Sequence, residues 1–188
     1  MQLATTSAVP GARDRILDAA EQLVSAAGAS NLTLDAVAQS AGVSKGGLLY
    51  HFPSKESLLG ALAQRYVESM EQCIESAKGG ISEQDHSRDL KACIVGILGT
   101  DPRSKAMGAA LLATAANDLT LLEVIRERLV AYNQELAGSS ADFARAAIVT
   151  LAIDGLMMRE SLRISPFTEA QRAQVVRELM KIADESYR

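Results

Sequence analysis

Aromatic residues are scarce in this chain, at 4% of 188 residues with no tryptophan, although 48% of the residues are hydrophobic. The apolar mass is therefore Ala, Leu, Ile, Val and Met. Strand-favouring aromatic and β-branched residues are thin over long stretches while helix formers are abundant, which points to an all-α protein. Only two cysteines occur, Cys73 and Cys93. They form neither a disulfide framework nor a zinc signature, as expected in a reducing cytosol. With His51 and His86 as the only histidines, no metal-ligand spacing and no glycine-rich phosphate loop, nothing calls for a metal or cofactor, and an enzyme is disfavoured. No apolar run spans a membrane; the longest, Ala146 to Met158, is interrupted by Asp154. No positive region followed by an apolar run marks a signal peptide, so a cytoplasmic protein with no membrane partner is expected. Excess positive charge is also missing: the net charge is -4. That counts against a generic nucleic-acid binder unless a few cations gather on one face.

The apolar spacing predicts about nine helices and no strand. Residues 1–12 read as a flexible arm around Pro10-Gly11. In the helix Arg13 to Ala27, Ile16, Leu17, Ala20, Leu23, Val24 and Ala27 share a face, and Gly28 suits a left-handed C-terminal cap. Thr33 caps a short helix carrying Val37 and Ala38, Gly42 makes a tight turn, and Ser44 caps a second short helix stopped before Pro53. Leu58, Leu62, Tyr66, Met70 and Ile74 mark a long helix from Ser54 to Lys78, ended by Gly79-Gly80. Ser82 to Asp85 resembles a capping box opening a helix to Leu98. Asp101-Pro102 starts the next helix, to Ala116. Further helices are expected at Leu119 to Leu136, Ala141 to Arg163 and, behind the capping pair Thr168 and Gln171, up to Glu185. The expected organisation is an arm (1–12), a helix-turn-helix (13–53), a connector helix (54–78) and a helical domain (79–188).

A helix-turn-helix reads DNA because its second helix is short, exposed and preceded by a tight turn, so that its first residues reach the major groove. Ala41-Gly42-Val43 supplies such a turn, and Val37, Val43 and Leu48 face inward. The outward set is Ser44, Lys45, Gly46, Gly47, Tyr50 and His51. Thr33 and Ser44 offer hydroxyls and helix N-termini to phosphates. Lys45 suits a guanine edge or a phosphate, and Tyr50, His51 and Lys55 suit phosphates. Adjacent glycines cost roughly 1 kcal/mol each against alanine in a helix, and close approach to DNA gives that cost a reason. The bland alternative is a packing pair found in many folds, with Tyr50 half-buried and His51 solvated.

The run from Arg13 to Leu59 resembles the N-terminal domain of the tetracycline-repressor (TetR) family. The residues that carry it are Ile16-Leu17-Asp18-Ala19-Ala20, Gly28, Thr33-Leu34, Val37-Ala38, Ala41 to Gly46, Leu49-Tyr50-His51-Phe52 and Ser54 to Leu59. The resemblance implies DNA contacts at Thr33, Ser44, Lys45, Gly46, Tyr50, His51 and Lys55. At Gly47 relatives often carry a small polar residue, so direct readout there is in question. It also implies three helices for DNA, a fourth as connector and five more for sensing and dimerisation. The acidic total is then no paradox: up to Lys55, Arg13, Arg15, Lys45 and Lys55 balance Asp14, Asp18, Glu21 and Asp35, and placement matters more than bulk charge.

Beyond Lys78 the pattern alone carries the reading. The helix Ala141 to Arg163 is apolar on most sides, as if buried between layers. Its Asp154-Gly155-Leu156 looks like a feature of the family's dimer helices. Gly155 with Val176, Leu179 and Met180 is the expected homodimer interface, a four-helix bundle on a two-fold axis; the alternative is closure of the monomer core. Met107, Leu111, Leu112, Leu121, Leu122, Ile125, Leu156 and Met157, with Thr114, Asn117 and Arg159 as polar anchors, are the expected lining of an apolar effector cavity. The resulting expectation is a homodimeric repressor released from double-stranded operator DNA by a small apolar effector. A constitutive or architectural DNA binder with a sealed C-terminal core is one alternative; an enzyme with an accessory helix-turn-helix is the other.

Overall fold

The computed structural model describes residues 11–115, 123, 126–128, 130–131, 134 and 143–184. Among them are no strand, the 3-10 turn Ala29–Asn31 and the helices α1 (Ala12–Ala27), α2 (Leu34–Ala41), α3 (Lys45–His51), α4 (Lys55–Lys78), α5 (Arg88–Leu98), α6 (Pro102–Ala115), α7 (Phe143–Ser161) and α8 (Glu169–Ala183), and residues 123, 126–128, 130–131 and 134 are helical as well. Residues 1–10 of the expected arm and most of the expected helix Leu119 to Leu136 lie outside the described residues, and the arm's last residue, Ala12, is instead the first of α1. The chain divides into two compact units, Met1–Leu62 and Ala63–Arg188, so α4 contributes to both.

In the first unit, Ile16, Leu17, Ala20 and Val24 form the buried stripe of α1, and α2 and α3 pack on α1 and on each other. Val37, Ala38, Leu48 and Phe52 complete this core. Burying a side chain such as Leu48 stabilises the fold by about 1.5–3 kcal/mol. Gly28 has the positive φ expected of it (80°), but its ψ of 154° leaves the left-handed helical region. It ends α1 and leads into the 3-10 turn rather than forming a left-handed cap.

In the second unit, α5, α7 and α8 enclose a core of Leu90, Cys93, Ile94, Leu98, Ala146, Val149, Ile153, Leu156, Leu179 and Ala183. Cys93 is thus a buried hydrophobe, and Cys73 is half-buried. Three expectations are corrected here. Helix α5 begins at Arg88, not behind Ser82, because the Asp85 carboxylate accepts from the Ser87 N–H (2.8 Å) and from Lys91 (2.8 Å), and the segment turns instead of capping. Helix α7 is not buried all round: Ala146, Val149, Ile153 and Leu156 face the core, whereas Ile148, Leu151 and Met158 are exposed in this chain. Leu156 and Leu179, expected at the cavity and the dimer face, belong to the core (5% and 4% exposed).

Ion pairs tie distant segments of this unit. Lys91 Nζ bridges Asp85 (2.8 Å) and Asp184 (2.7 Å). Glu160 on α7 pairs with Lys105 of α6 (2.7 Å) and with Arg172 of α8, which also donates to the Leu98 carbonyl at the end of α5 (2.8 Å). Burial pushes the Glu160 carboxyl up, but the hydrogen bonds from Arg172 and Lys105 outweigh it and hold the group below its ordinary value of 4.5. The Lys91 hydrogen bond likewise holds Asp85 below its ordinary 3.8. A depressed folded pKa contributes stability that is complete above the unfolded value and is lost as pH falls through the folded one. Stability should therefore be level near neutrality and fall below about pH 4.5. Urea titrations at stepped pH check this. Glu160→Gln should make the acid limb shallower, and an unchanged limb would refute the role given to this pair.

Candidate functional site

Local chemistry builds the α2–turn–α3 element. The Ala36 N–H donates to Thr33 Oγ1 (3.2 Å), capping α2. Gly42 sits in the left-handed region (φ 64°, ψ 37°), where glycine carries no Cβ penalty, and the Val43 N–H behind it donates to the Ala38 carbonyl (3.0 Å). The Gly47 N–H donates to Ser44 Oγ (3.0 Å), capping α3. The helix stops at His51 because Pro53 follows, and Phe52 turns extended with Arg13 over its ring (5.5 Å). Ser54 and Ser57 then cap α4 reciprocally, each N–H donating to the other's hydroxyl (3.1 and 3.2 Å), with Lys55 as the first helical residue.

Only Leu48 of α3 is buried. Ser44, Lys45, Gly46 and Tyr50 are exposed, Tyr50 to 84%, while Gly47 and His51 are partly covered. The Tyr50 and His51 rings meet edge-on, centroids 5.1 Å apart. Lys45 Nζ lies 2.9 Å from Asp35 Oδ1 on α2. Such an exposed pair is worth about 0–1 kcal/mol, so a phosphate or base edge competes with it easily. The two glycines differ. A Cβ on Gly46 would meet nothing within 4 Å, so no neighbour among the described residues requires its bareness. A Cβ on Gly47 would stand 3.2 Å from Ser44 Oγ, so this glycine leaves room for the cap.

The second unit contains a cavity of about 350 Å³. Its wall includes Tyr66, Met70 and Ile74 of α4, Ile97 of α5, Gly108, Leu111 and Leu112 of α6, and Asp154, Met157 and Met158 of α7. Of the expected lining, Leu111, Leu112 and Met157 are there. Met107 is buried in packing and Leu156 in the core. The Thr114 hydroxyl is spent on the Ala110 carbonyl of its own helix (2.8 Å), and Arg159 is exposed away from the wall. Asn117, Leu121, Leu122 and Ile125 lie outside the described residues. The wall residues missed include those of α4, with Ile97, Gly108, Asp154 and Met158. The spacing of Tyr66, Met70 and Ile74 had marked one helical face, but the pattern does not say what that face covers. The position where a Gly108 Cβ would stand is 2.6 Å from Tyr66 Oη, so the phenol seats directly on α6. Burial, then the Asp154 charge, push the Tyr66 phenol up to about 12, and burial pushes the Asp154 carboxyl up.

Of the expected dimer residues, Val176 and Met180 are half-buried against the core, and Leu179 is inside it. A Cβ on Gly155 would meet nothing within 4 Å, so among the described residues no helix presses on it. Exposed apolar side chains flank it at Ile148, Leu151, Met158 and Leu162.

The model of the tetracycline repressor-like C-terminal domain matches residues 88–184, and that of bacterial regulatory proteins of the tetR family matches residues 16–62. The chain is 27% identical over 172 residues to the HTH-type transcriptional regulator BetI of Serratia proteamaculans (strain 568), covering 86% of this chain and 87% of that one. Among solved structures, a TetR-family member from Streptomyces coelicolor A3 is 25% identical with a TM-score of 0.70, covering 90% of this chain and 98% of that one. A TetR-like transcriptional regulator from Rhodococcus sp. RHA1 is 24% identical with a TM-score of 0.64, covering 94% and 96%. No helix among the described residues is long and apolar enough to cross a membrane. The two matching models and the all-helical architecture place the chain in the TetR family of DNA-binding transcription regulators.

Proposed function

We propose that the protein is a homodimeric repressor that reads its operator through α3 and leaves it when a small molecule fills the cavity of the second unit. The observation that carries the reading half is the face of α3: an exposed Lys45 and Tyr50 around a glycine whose open side has no intramolecular cause. Lys45 serves a base edge or phosphate; Thr33, Ser44, Tyr50, His51 and Lys55 serve the backbone. The observation that supports release is the cavity. Helix α4 leaves the reading module at Lys55 and supplies Tyr66, Met70 and Ile74 to the cavity wall. A ligand that fits one setting of α4 better than another shifts the balance between DNA-competent and DNA-incompetent forms. A constitutive binder with a sealed core is disfavoured by the same cavity. Operator binding places the work in the cytoplasm.

The test is a titration of the full chain against the DNA flanking its own coding region, with competitor DNA, at two salt concentrations. The expected result is saturable binding to a short palindrome that weakens steeply with salt. Lys45→Ala and Tyr50→Ala should each lower operator affinity about tenfold, a loss of ~1–3 kcal/mol per specific contact, with the dimer and the unfolding midpoint unchanged. Normal binding by either variant removes that residue from the reading face. Absence of any preferred sequence, also in a random-sequence selection, defeats the regulator assignment of α3.

A further inference from the structure

Arg13 stands in the first turn of α1 and is exposed. Its guanidinium lies over the Phe52 ring, 5.5 Å from the centroid. Among the described residues its side chain has no hydrogen bond and no ion pair beside that contact. Residues 1–10, which precede it in the chain, contain no Asp or Glu to pair with it. The adjacent Asp14 carboxylate turns to the start of the helix instead, with Oδ2 3.4 Å from where a Gly11 Cβ would stand. Lys45, by contrast, meets Asp35 at 2.9 Å. An arginine carries five N–H donors in one plane and accepts nothing. Stacking on a ring uses a face of that plane and leaves the donors at its edge open.

The anchor is fixed. Phe52 is 3% exposed, belongs to the core of the first unit and is the extended residue that ends α3. A long side chain laid on such a ring is ordered before a partner arrives, so less freedom is lost on binding. The ring also decides where the cation stands. Tyr50 and His51 immediately precede Phe52. Lys55 opens α4 three residues after it, so its Cα lies within about 11 Å of the Phe52 Cα. Arg13 therefore joins, from a different helix, the end of α3 where the proposed backbone contacts gather. Covering the ring alone would need no charge, and a methionine would do it. A planar fork of open donors matches the paired oxygens of a phosphate. We infer that Arg13 is a phosphate clamp, held on Phe52 and gripping the backbone of duplex DNA beside the bases that α3 reads. This deepens the reading of α3 as the DNA-reading helix and rests on it.

The experiment titrates the full chain, Arg13→Gln and Arg13→Lys against a mixed-sequence duplex and against the operator recovered by random-sequence selection, from about 0.05 to 1 M salt. Arg13→Gln should flatten the plot of log affinity against log salt by about 0.9 for each chain on the DNA. That is a loss of about eightfold per chain at 0.1 M salt, closing to almost none near 1 M. The loss should be equal on both duplexes, because a phosphate carries no sequence. Arg13→Lys keeps the charge and should keep the wild-type slope. Both variants should unfold in urea close to the wild type, since the position is exposed. Unchanged affinity and slope in Arg13→Gln overturn the clamp and leave the reading by α3 intact. So does a weaker variant with the wild-type slope, which would make Arg13 a packing residue. A loss on the operator alone would make it a base contact and overturns the phosphate assignment. A wild type that binds neither duplex overturns the reading by α3 and the clamp with it.

Discussion

Leu151→Glu should turn the protein into monomers in sedimentation equilibrium and lower operator affinity by about two orders of magnitude or more, with the unfolding of each chain almost unchanged. The argument starts from α7. Its buried stripe is Ala146, Val149, Ile153 and Leu156. On the opposite side, Ala144, Ile148, Leu151, Gly155, Met158 and Leu162 recur at alternating spacings of four and three residues, the seam of two helices packed along one another. Leu151 is 70% exposed in the single chain and its larger neighbours are exposed with it. A contiguous apolar stripe of this kind marks an interaction surface, and a second copy is the partner that a two-headed operator reader needs. Losing the second head removes the gain from simultaneous engagement, typically 10²- to 10⁴-fold. Since Leu151 touches little in its own chain, a monomer that folds normally but binds DNA weakly is expected. A Leu151→Glu protein that remains dimeric at low concentration would show that this stripe is not the interface.

What the sequence disclosed well was local. Thr33, Gly42, Ser44 and the Thr168–Gln171 pair work through bonds between residues three or four apart, so residue type and spacing determine them. The same kind of pattern misled at Ser82 to Asp85, because a longer-range partner, Lys91, takes the carboxylate that a cap would have used. The cavity was legible only at Leu111, Leu112 and Met157. Its other walls come from four helices far apart in the chain, and an apolar helix face looks alike whether it covers a core or a cavity. Helix α7 shows the difficulty most plainly. Core-facing Leu156 and outward Met158 are both apolar, so composition points to burial between layers, and only the packing of α5 and α8 decides which stripe is inside. For the same reason Leu179 was assigned to the dimer face although it closes the monomer core.

Gly96→Ala and Gly46→Ala should move in opposite directions, although both put a methyl group on a helix. Alanine is the better helix former by about 0.5–1 kcal/mol in each case. At Gly96 in α5 the new Cβ would stand 2.7 Å from the Ile74 backbone N and Cα and 2.8 Å from the Cys73 carbonyl carbon. Backbone atoms cannot rotate aside, so α4 and α5 must separate at this point, and overpacking of this kind costs about 1–3 kcal/mol or somewhat more. The cost exceeds the propensity gain, and urea or thermal unfolding should show a loss of about 1–2 kcal/mol. At Gly46 nothing lies within 4 Å. There the propensity gain stands alone, and the variant should unfold slightly later than the wild type while binding operator more weakly, because the methyl group stands where DNA approaches. The two variants therefore separate a glycine kept for packing from one kept for a partner. A Gly96→Ala protein as stable as the wild type would deny the close passage of α4 over α5. A Gly46→Ala protein with full operator affinity would mean that α3 does not bring its backbone against the DNA.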